Sequence, residues 1–343
     1  MTIETDVVII GAGPVGLFQV FELGLLDIRA HVVDSLPQPG GQCSELYPEK
    51  PIYDIPALPV VGAQELIDRL LEQIKPFNAH FHLGQTVTHL SRQESGRFRL
   101  STSTGTEIDS ATVIIAGGLG AFQPRRLRAP GAADFERQAI RYRVRDPQDF
   151  AGKNLIILGG GDSALDWTLE LLDRVESLTL VHRRAEYRAL PASVSKMKTL
   201  ADAGRMTELQ GNVRQVMSDD GVLSGLKLVQ LDGSELEITG DSVLVFWGLS
   251  PNLGPIADWG LELSKRQIEV DTEKFQTSET GIFAVGDINH YPGKKKLILS
   301  GFHEAALAAF AVQQHLHPGR KVPLQYTTTS TVMHQRLGIK DSK

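Results

Sequence analysis

One pattern, strand then glycine turn then helix then strand, occurs twice in these 343 residues with the same internal spacing. In the first copy an apolar run, 6–10, leads into Gly11-Ala12-Gly13-Pro14-Val15-Gly16. A helix-like run follows from Leu17 to about Leu26, and a second apolar run, 29–33, ends at Asp34. In the second copy the run 154–158 leads into Gly159-Gly160-Gly161-Asp162-Ser163-Ala164, a helix pattern extends from Leu165 to about Arg174, and 177–181 ends at His182-Arg183-Arg184. Gly11 to Asp34 and Gly159 to His182 both span 23 residues. Each copy reads as a βαβ unit of the dinucleotide-binding type, and the repetition predicts two such domains. The length agrees, at about 150 residues per domain.

The spacing has a chemical reason. In Gly11-x-Gly13-x-x-Gly16 the first glycine makes a tight turn, the second lets a pyrophosphate approach the backbone, and the third lets helix and strand pack closely. Pro14 lies within this cofactor-binding turn, and the open N–H groups of the helix start face the phosphates. Asp34 stands where a carboxylate accepts hydrogen bonds from a ribose diol. The second copy, Gly159-x-Gly161-x-x-Ala164, ends in His182, Arg183 and Arg184, with Arg188 close by in sequence. A carboxylate there repels a 2′-phosphate, whereas guanidinium groups bind one through charge-assisted hydrogen bonds. Asp162 and Ser163 open the helix beside the expected pyrophosphate. Acid in one unit and arginines in the other predict FAD at the first and NADPH/NADP+, rather than NADH, at the second.

Further stretches carry a resemblance. They are 35–42 (Ser-Leu-Pro-Gln-Pro-Gly-Gly-Gln), 46–50 (Leu-Tyr-Pro-Glu-Lys), 52–56 (Ile-Tyr-Asp-Ile-Pro), 120–125 (Gly-Ala-Phe-Gln-Pro-Arg) and 284–287 (Ala-Val-Gly-Asp), together with both glycine turns and His182-Arg183-Arg184. In this order the chain resembles, over nearly its whole length, the thioredoxin-reductase-like ferredoxin/flavodoxin–NADP+ reductases. The resemblance implies an α/β fold with two Rossmann-like domains: an FAD domain from 1–117 and 280–343, and an NADPH domain inserted at 118–279. It also implies that Gly41 binds FAD, Gln42 lies along the flavin, Tyr47 stacks on its ring, Val87 and Phe122 line the cavity, and Asp287 holds the ribityl–pyrophosphate part. Tyr326, with Thr328 beside it, would cover the other flavin face in a C-terminal extension, from either subunit of a homodimer. Without the resemblance, Tyr47 reads equally as a core aromatic and Asp287 as a helix N-cap. True thioredoxin reductases carry a CxxC ahead of the second glycine turn; here 137–150 has no cysteine, and the single Cys43 cannot form an internal dithiol.

The reading is an oxidoreductase in which the flavin carries the chemistry and no catalytic residue is assigned, passing electrons between NADPH and ferredoxin or flavodoxin. The alternatives are another acceptor, such as an oxygenase component, a quinone or an iron complex, or a redox sensor that binds both nucleotides without turnover. The segment after Ser330, or a domain rotation, is expected to gate hydride transfer. An acidic carrier needs a basic dock on a chain whose net charge is −6. Residues 125–145 hold seven arginines against two acids, and Lys294-Lys295-Lys296 forms a second cluster. Nucleic acid is not expected as a partner, since no recognition motif accompanies the charge. The ten histidines show no metal-ligand spacing, so no metal is assigned. An acidic N-terminus and the lack of a long apolar run make the cytoplasm the expected compartment and exclude a membrane span.

Overall fold

A computed structural model of the chain describes residues 2–120, 123–136, 138–144, 146–250, 253–320 and 325–339. In chain order the elements used below are β1 (Thr2–Ile10), α1 (Pro14–Leu25), β2 (Ala30–Val33), α2 (Gln42–Leu46), α3 (Ala63–Ile74), β3 (His80–His82), β4 (Val87–Arg92), β5 (Phe98–Thr102) and β6 (Glu107–Ile115). They continue with β7 (Asn154–Gly159), α4 (Asp162–Leu171), β8 (Ser177–His182), α5 (Pro191–Asp202), β9 (Thr207–Gln210), β10 (Ser242–Phe246), β11 (Ile282–Ala284), α6 (Ile298–Leu316) and α7 (Thr331–Arg336). The chain divides into two compact units, Met1–Ala121 with Pro251–Lys343, and Phe122–Ser250.

The first unit is built on a seven-stranded sheet in the order β3-β2-β1-β6-β5-β4, with β11 also pairing β6. The β1–β2, β1–β6 and β11–β6 pairs are parallel. Strand side chains alternate between faces, so Val7 and Ile9 join Leu17, Leu23, Ile67, Ala308 and Val312 beneath the helices. Val8 points the other way, into a core shared with Phe98, Val113, Leu253, Ile256 and Ile268. That second core explains a difference from the sequence expectation. The chain returns to the first unit at Pro251 and not at residue 280, because Leu253, Ile256, Leu261 and Ile268 fill the face of this sheet that α1, α3 and α6 leave open. Short strands separated by turns carry little periodicity, which is why the return is faint in the sequence.

The second unit has a five-stranded parallel sheet in the order of a two-residue edge strand (Ile140–Arg141), then β10, β7, β8 and β9. One face packs on α4 and α5 through Leu155, Ile157, Leu165, Leu171 and Met197. Ile156, Leu158 and Val243 on the other face pack on a three-stranded antiparallel sheet, 212–239, through Val216, Leu226 and Leu228. No helix among the described residues is long and apolar enough to cross a membrane.

Candidate functional site

In the first unit the turn between β1 and α1 is closed at both ends and open in the middle. Gly11 has φ +114°, and a Cβ on it would lie 2.4 Å from the Ala116 carbonyl oxygen. A Cβ on Gly16 would lie 1.9 Å from the Gly11 carbonyl oxygen, so only glycine lets α1 sit this close to the strand. Gly13 differs: its nearest neighbour would be the Gly41 Cα at 4.0 Å. The two backbones approach closely at the edge of a notch, where a Cβ on Gly41 would lie 3.1 Å from the Gly13 Cα. Pro14 starts α1, and no side chain caps the helix N-terminus. The first-turn N–H groups therefore open toward that notch, as an anion site requires.

Asp34, at the end of β2, is 9% exposed. Its two oxygens accept the Ala12 N–H at 2.5 Å and the Leu36 N–H at 2.8 Å. Burial pushes its carboxyl up, and those two backbone donors pull it back. An ionised carboxylate has about four acceptor positions, so two remain for a diol. The Gly286–Asp287 turn packs against the same place, since a Cβ on Gly286 would meet the Val15 side chain at 3.4 Å. Burial raises the Asp287 carboxyl, the ammonium charges of Lys294 and Lys296 lower it, and Glu304 raises it. The Asp287 charge also acts on the Tyr47 hydroxyl, which burial chiefly raises. Gln42 lies near Gly118, Val87 is buried at the start of β4, and the buried Cys43 thiol contacts the Tyr47 hydroxyl at 3.9 Å. Asp34, Gly41, Tyr47 and Asp287 are thus gathered around the first turn. Phe122 lies outside the described residues.

The C-terminal segment is placed differently. Helix α7 docks at the far end of α1, where Arg336 donates to the Leu25 carbonyl and pairs with Asp27 at 3.4 Å. At 1.5 Å per residue, that is about 18 Å along the helix from the glycine turn. Tyr326 is 66% exposed and Thr328 is exposed as well. No described aromatic ring packs on Tyr326.

In the second unit the glycines again divide by role. A Cβ on Gly159 would lie 2.7 Å from Ala164 Cβ, and one on Gly160 would lie 2.3 Å from the His182 ring. A Cβ on Gly161 would make only an ordinary contact, with the Arg188 carbonyl oxygen at 3.9 Å, and α4 starts there without a side-chain cap. Asp162 has a task the sequence did not suggest: its Oδ1 accepts the Leu190 N–H at 2.9 Å. With the Arg188 N–H donating to the Gly160 carbonyl at 2.7 Å, this straps the basic segment across the turn. The His182 ring stacks on Tyr187, whose hydroxyl donates to Glu208 at 2.8 Å. Burial first lowers the His182 pKa. The Glu186 carbonyl opposes this, while the charges of Arg183, Arg184 and Arg188 lower it further. The charges of all three guanidinium groups thus act on one imidazole. All three residues are exposed, none has an ion-pair partner among the described residues, and Ser163 is exposed beside them.

Sequence reasoning missed Glu304. It is 0% exposed on α6 and bound by four donors, of which Lys294 is one. A lone glutamate in an alanine-rich helix carries no motif, and only the fold brings its partners to it. The same contact corrects the lysine cluster: the Lys294 side chain is 4% exposed, leaving Lys295 and Lys296 at the surface. Within 125–145, Arg126 pairs with Glu136 at 2.9 Å and Arg141 pairs with Asp149, while Arg137 and Arg145 lie outside the described residues. Both basic clusters are weaker than their sequences suggest.

Three histidines on the edge pair β2–β3 form a stack. His31 Nδ1 and His82 Nε2 share a hydrogen bond of 2.9 Å, and His80 lies over His31 at 4.9 Å. The Asp34 N–H donates to the His82 carbonyl, so the stack adjoins the first site. His31 is pushed down from 6.5 to about 4, first by burial, then by His82 and His80. Between those values the unfolded chain binds more protons than the folded one. Stability is therefore full above 6.5 and falls as pH drops toward 4. Melting temperatures across this window should fall less steeply for His31→Gln than for the parent. Parallel curves would show that the stack does not couple to folding.

Residues 5–314 match the family model described as pyridine nucleotide-disulphide oxidoreductase. The chain is 58% identical over 342 residues to a protein of Methylibium petroleiphilum named ferredoxin–NADP reductase, covering 98% of this chain and 93% of that one. A protein of the same name from Albidiferax ferrireducens is also 58% identical, with 98% and 97% covered. Thioredoxin reductase of Lactococcus lactis shares the fold with a TM-score of 0.75 at 23% identity, covering 91% of this chain and 99% of that one. Bacillithiol disulfide reductase of Staphylococcus aureus does so with a TM-score of 0.76 at 16% identity, covering 93% and 100%. With both dinucleotide-type turns built and the match spanning both units, the chain belongs to the pyridine nucleotide-disulphide oxidoreductase family and groups with its members named ferredoxin–NADP reductase.

Proposed function

We propose that this chain is an FAD-dependent enzyme that transfers electrons between NADPH and ferredoxin or flavodoxin. The observation that carries the reading is the contrast between the two turns. Each has a middle glycine whose added Cβ would meet nothing closer than 3.9 Å, at a helix N-terminus without a side-chain cap, one beside a buried acid and the other beside three arginines without ion-pair partners among the described residues. The full-length relatives named ferredoxin–NADP reductase support the acceptor class. FAD, when bound, supplies the step from hydride chemistry to one-electron chemistry. The protein's own part is binding and orientation. Gly13 and Gly41 leave room for a pyrophosphate, and the N–H groups of α1 donate to it. Asp34 accepts from the adenosine ribose, Asp287 holds the ribityl side, and Tyr47 lies against the ring. Arg183 and Arg184, helped by Arg188, grip the 2′-phosphate of NADPH, while Gly161 admits its pyrophosphate. Tyr326 and Thr328, exposed on their own chain, are assigned to the flavin of a second copy in a homodimer.

Reduction of a protein disulfide is disfavoured by chemistry. The relatives by fold bear that activity in their names, but this chain has one cysteine, and burial raises the Cys43 thiol pKa. The test is the anaerobic visible spectrum of the purified protein, followed by turnover with ferredoxin, flavodoxin and a quinone. A flavin spectrum bleached by NADPH and far less by NADH, with fastest turnover on a carrier protein, is the expected result. Fastest turnover on quinone would replace the acceptor, and absence of flavin after FAD incubation would overturn the whole reading.

A further inference from the structure

A buried ion pair lies directly behind the Gly286–Asp287 turn. Glu304 Oε2 accepts the Gly286 N–H at 2.7 Å and Asn289 Nδ2 at 2.8 Å, and Oε1 accepts the Tyr291 hydroxyl at 2.9 Å and the Lys294 ammonium. The carboxylate is 0% exposed and the lysine side chain 4%. The turn is pinned from its other side by Gln267, whose Nε2 donates to the Asp287 carbonyl at 3.1 Å and the Asn289 carbonyl at 2.6 Å. Val15 of the first glycine turn is wedged between Gly286 and Gly301, so any shift of this loop is transmitted to the phosphate notch.

A buried ammonium needs an anion, because an unpaired charge in a low-dielectric interior is strongly unfavourable. Lys294 is within electrostatic reach of two, Glu304 and Asp287. We propose that Glu304 is a positioning residue for the cofactor site: by holding the Gly286 N–H it fixes the Asp287 turn, and by holding the Lys294 ammonium it keeps that charge from pairing with Asp287. The inference rests on the FAD reading above and deepens it. When Glu304 loses its charge, Lys294 turns to Asp287 and draws that carboxylate away from the ligand. Removing the lysine as well abolishes the competition. A glutamine at 304 can still accept from Gly286 and Asn289 and donate to the Tyr291 oxygen, so the double variant leaves no buried charge unpaired.

The experiment is a titration of flavin-stripped protein with FAD, alongside melting of the same apo-proteins. Glu304→Gln should raise the FAD Kd by about 10- to 100-fold, the loss expected for one charge-assisted contact. Lys294→Met strands the buried Glu304 carboxylate and should lower the apo-protein melting temperature, but with the Gly286 N–H still held its FAD Kd should stay within about threefold of the parent, and Glu304→Gln with Lys294→Met should return to that range. If the double variant binds as poorly as Glu304→Gln alone, or if Glu304→Gln binds like the parent, the proposal fails. Should Glu304→Gln not fold, Lys294→Met against the double variant decides it: equal FAD Kd values support the proposal, and further loss in the double variant shows a purely structural glutamate. A parent protein that binds no FAD would instead overturn the functional reading, and this inference with it.

Discussion

Gly13→Ala is expected to fold like the parent and to purify colourless. The added methyl meets nothing in the protein closer than the Gly41 Cα at 4.0 Å, and Gly13 has φ −72° and ψ −180°, which alanine adopts freely. The weaker N-cap and the stiffer unfolded chain offset each other, so stability should change by no more than about 0.5 kcal/mol. The same methyl projects into the notch before the α1 N–H groups, where a pyrophosphate must touch backbone. FAD affinity should drop by about 100-fold or more, or at least 2.7 kcal/mol. Gly16→Ala is the control. Its methyl would sit 1.9 Å from the Gly11 carbonyl oxygen, so it should lose about 1–3 kcal/mol of stability as well as the flavin. Absorbance of the purified protein, an FAD titration and apo-protein melting separate the two cases. A yellow Gly13→Ala protein with unchanged FAD Kd would mean that the notch does not hold the pyrophosphate.

The second large effect is expected from Arg183→Gln with Arg184→Gln. Neither arginine has an ion-pair partner among the described residues, so their removal strands no buried acid and should leave the fold intact. Each charge-assisted contact to a 2′-phosphate contributes about 1.5–3 kcal/mol, reduced toward the lower end at an exposed site. The NADPH Kd should therefore rise by about 30-fold or more, with the NADH Kd held within about threefold. Raising ionic strength should erode the parent's preference for NADPH and leave the variant nearly indifferent. Equal weakening toward both nucleotides would place the effect on the turn itself, through the Arg188–Gly160 and Leu190–Asp162 bonds, and would remove the 2′-phosphate assignment.

The two glycine turns were legible in the sequence because the order of their parts is set within about 25 residues: a strand, a glycine turn, a helix start, and the residue ending the next strand, although Gly11 and Gly159 also meet Ala116 and Phe246 from distant strands. Backbone sterics impose that order locally. Gly11, Gly16 and Gly159 are required by atoms of their own βαβ units or the adjoining strands, and Asp34 returns to the backbone of Ala12. The basic residues 183–188 were legible for the same reason, although the strap that holds them, Asp162 to Leu190, was not.

What only the tertiary structure decided involves residues that meet across long stretches of chain. The return at Pro251 depends on Leu253, Ile256 and Ile268 meeting Val8 and Val113. Burial of Lys294 depends on α6 bringing Glu304 beside it, and the histidine stack depends on β3 pairing with β2. The placing of Tyr326 depends on α7 docking at the end of α1 remote from the glycine turn. Sequence by itself determined two dinucleotide-type βαβ units and the charge that ends each, because local sterics and a fixed spacing suffice for them. Which charges remain at the surface, and which are consumed inside, was decided by packing. Desolvation makes a buried ammonium take the nearest carboxylate, and no spacing rule records which carboxylate the fold will bring.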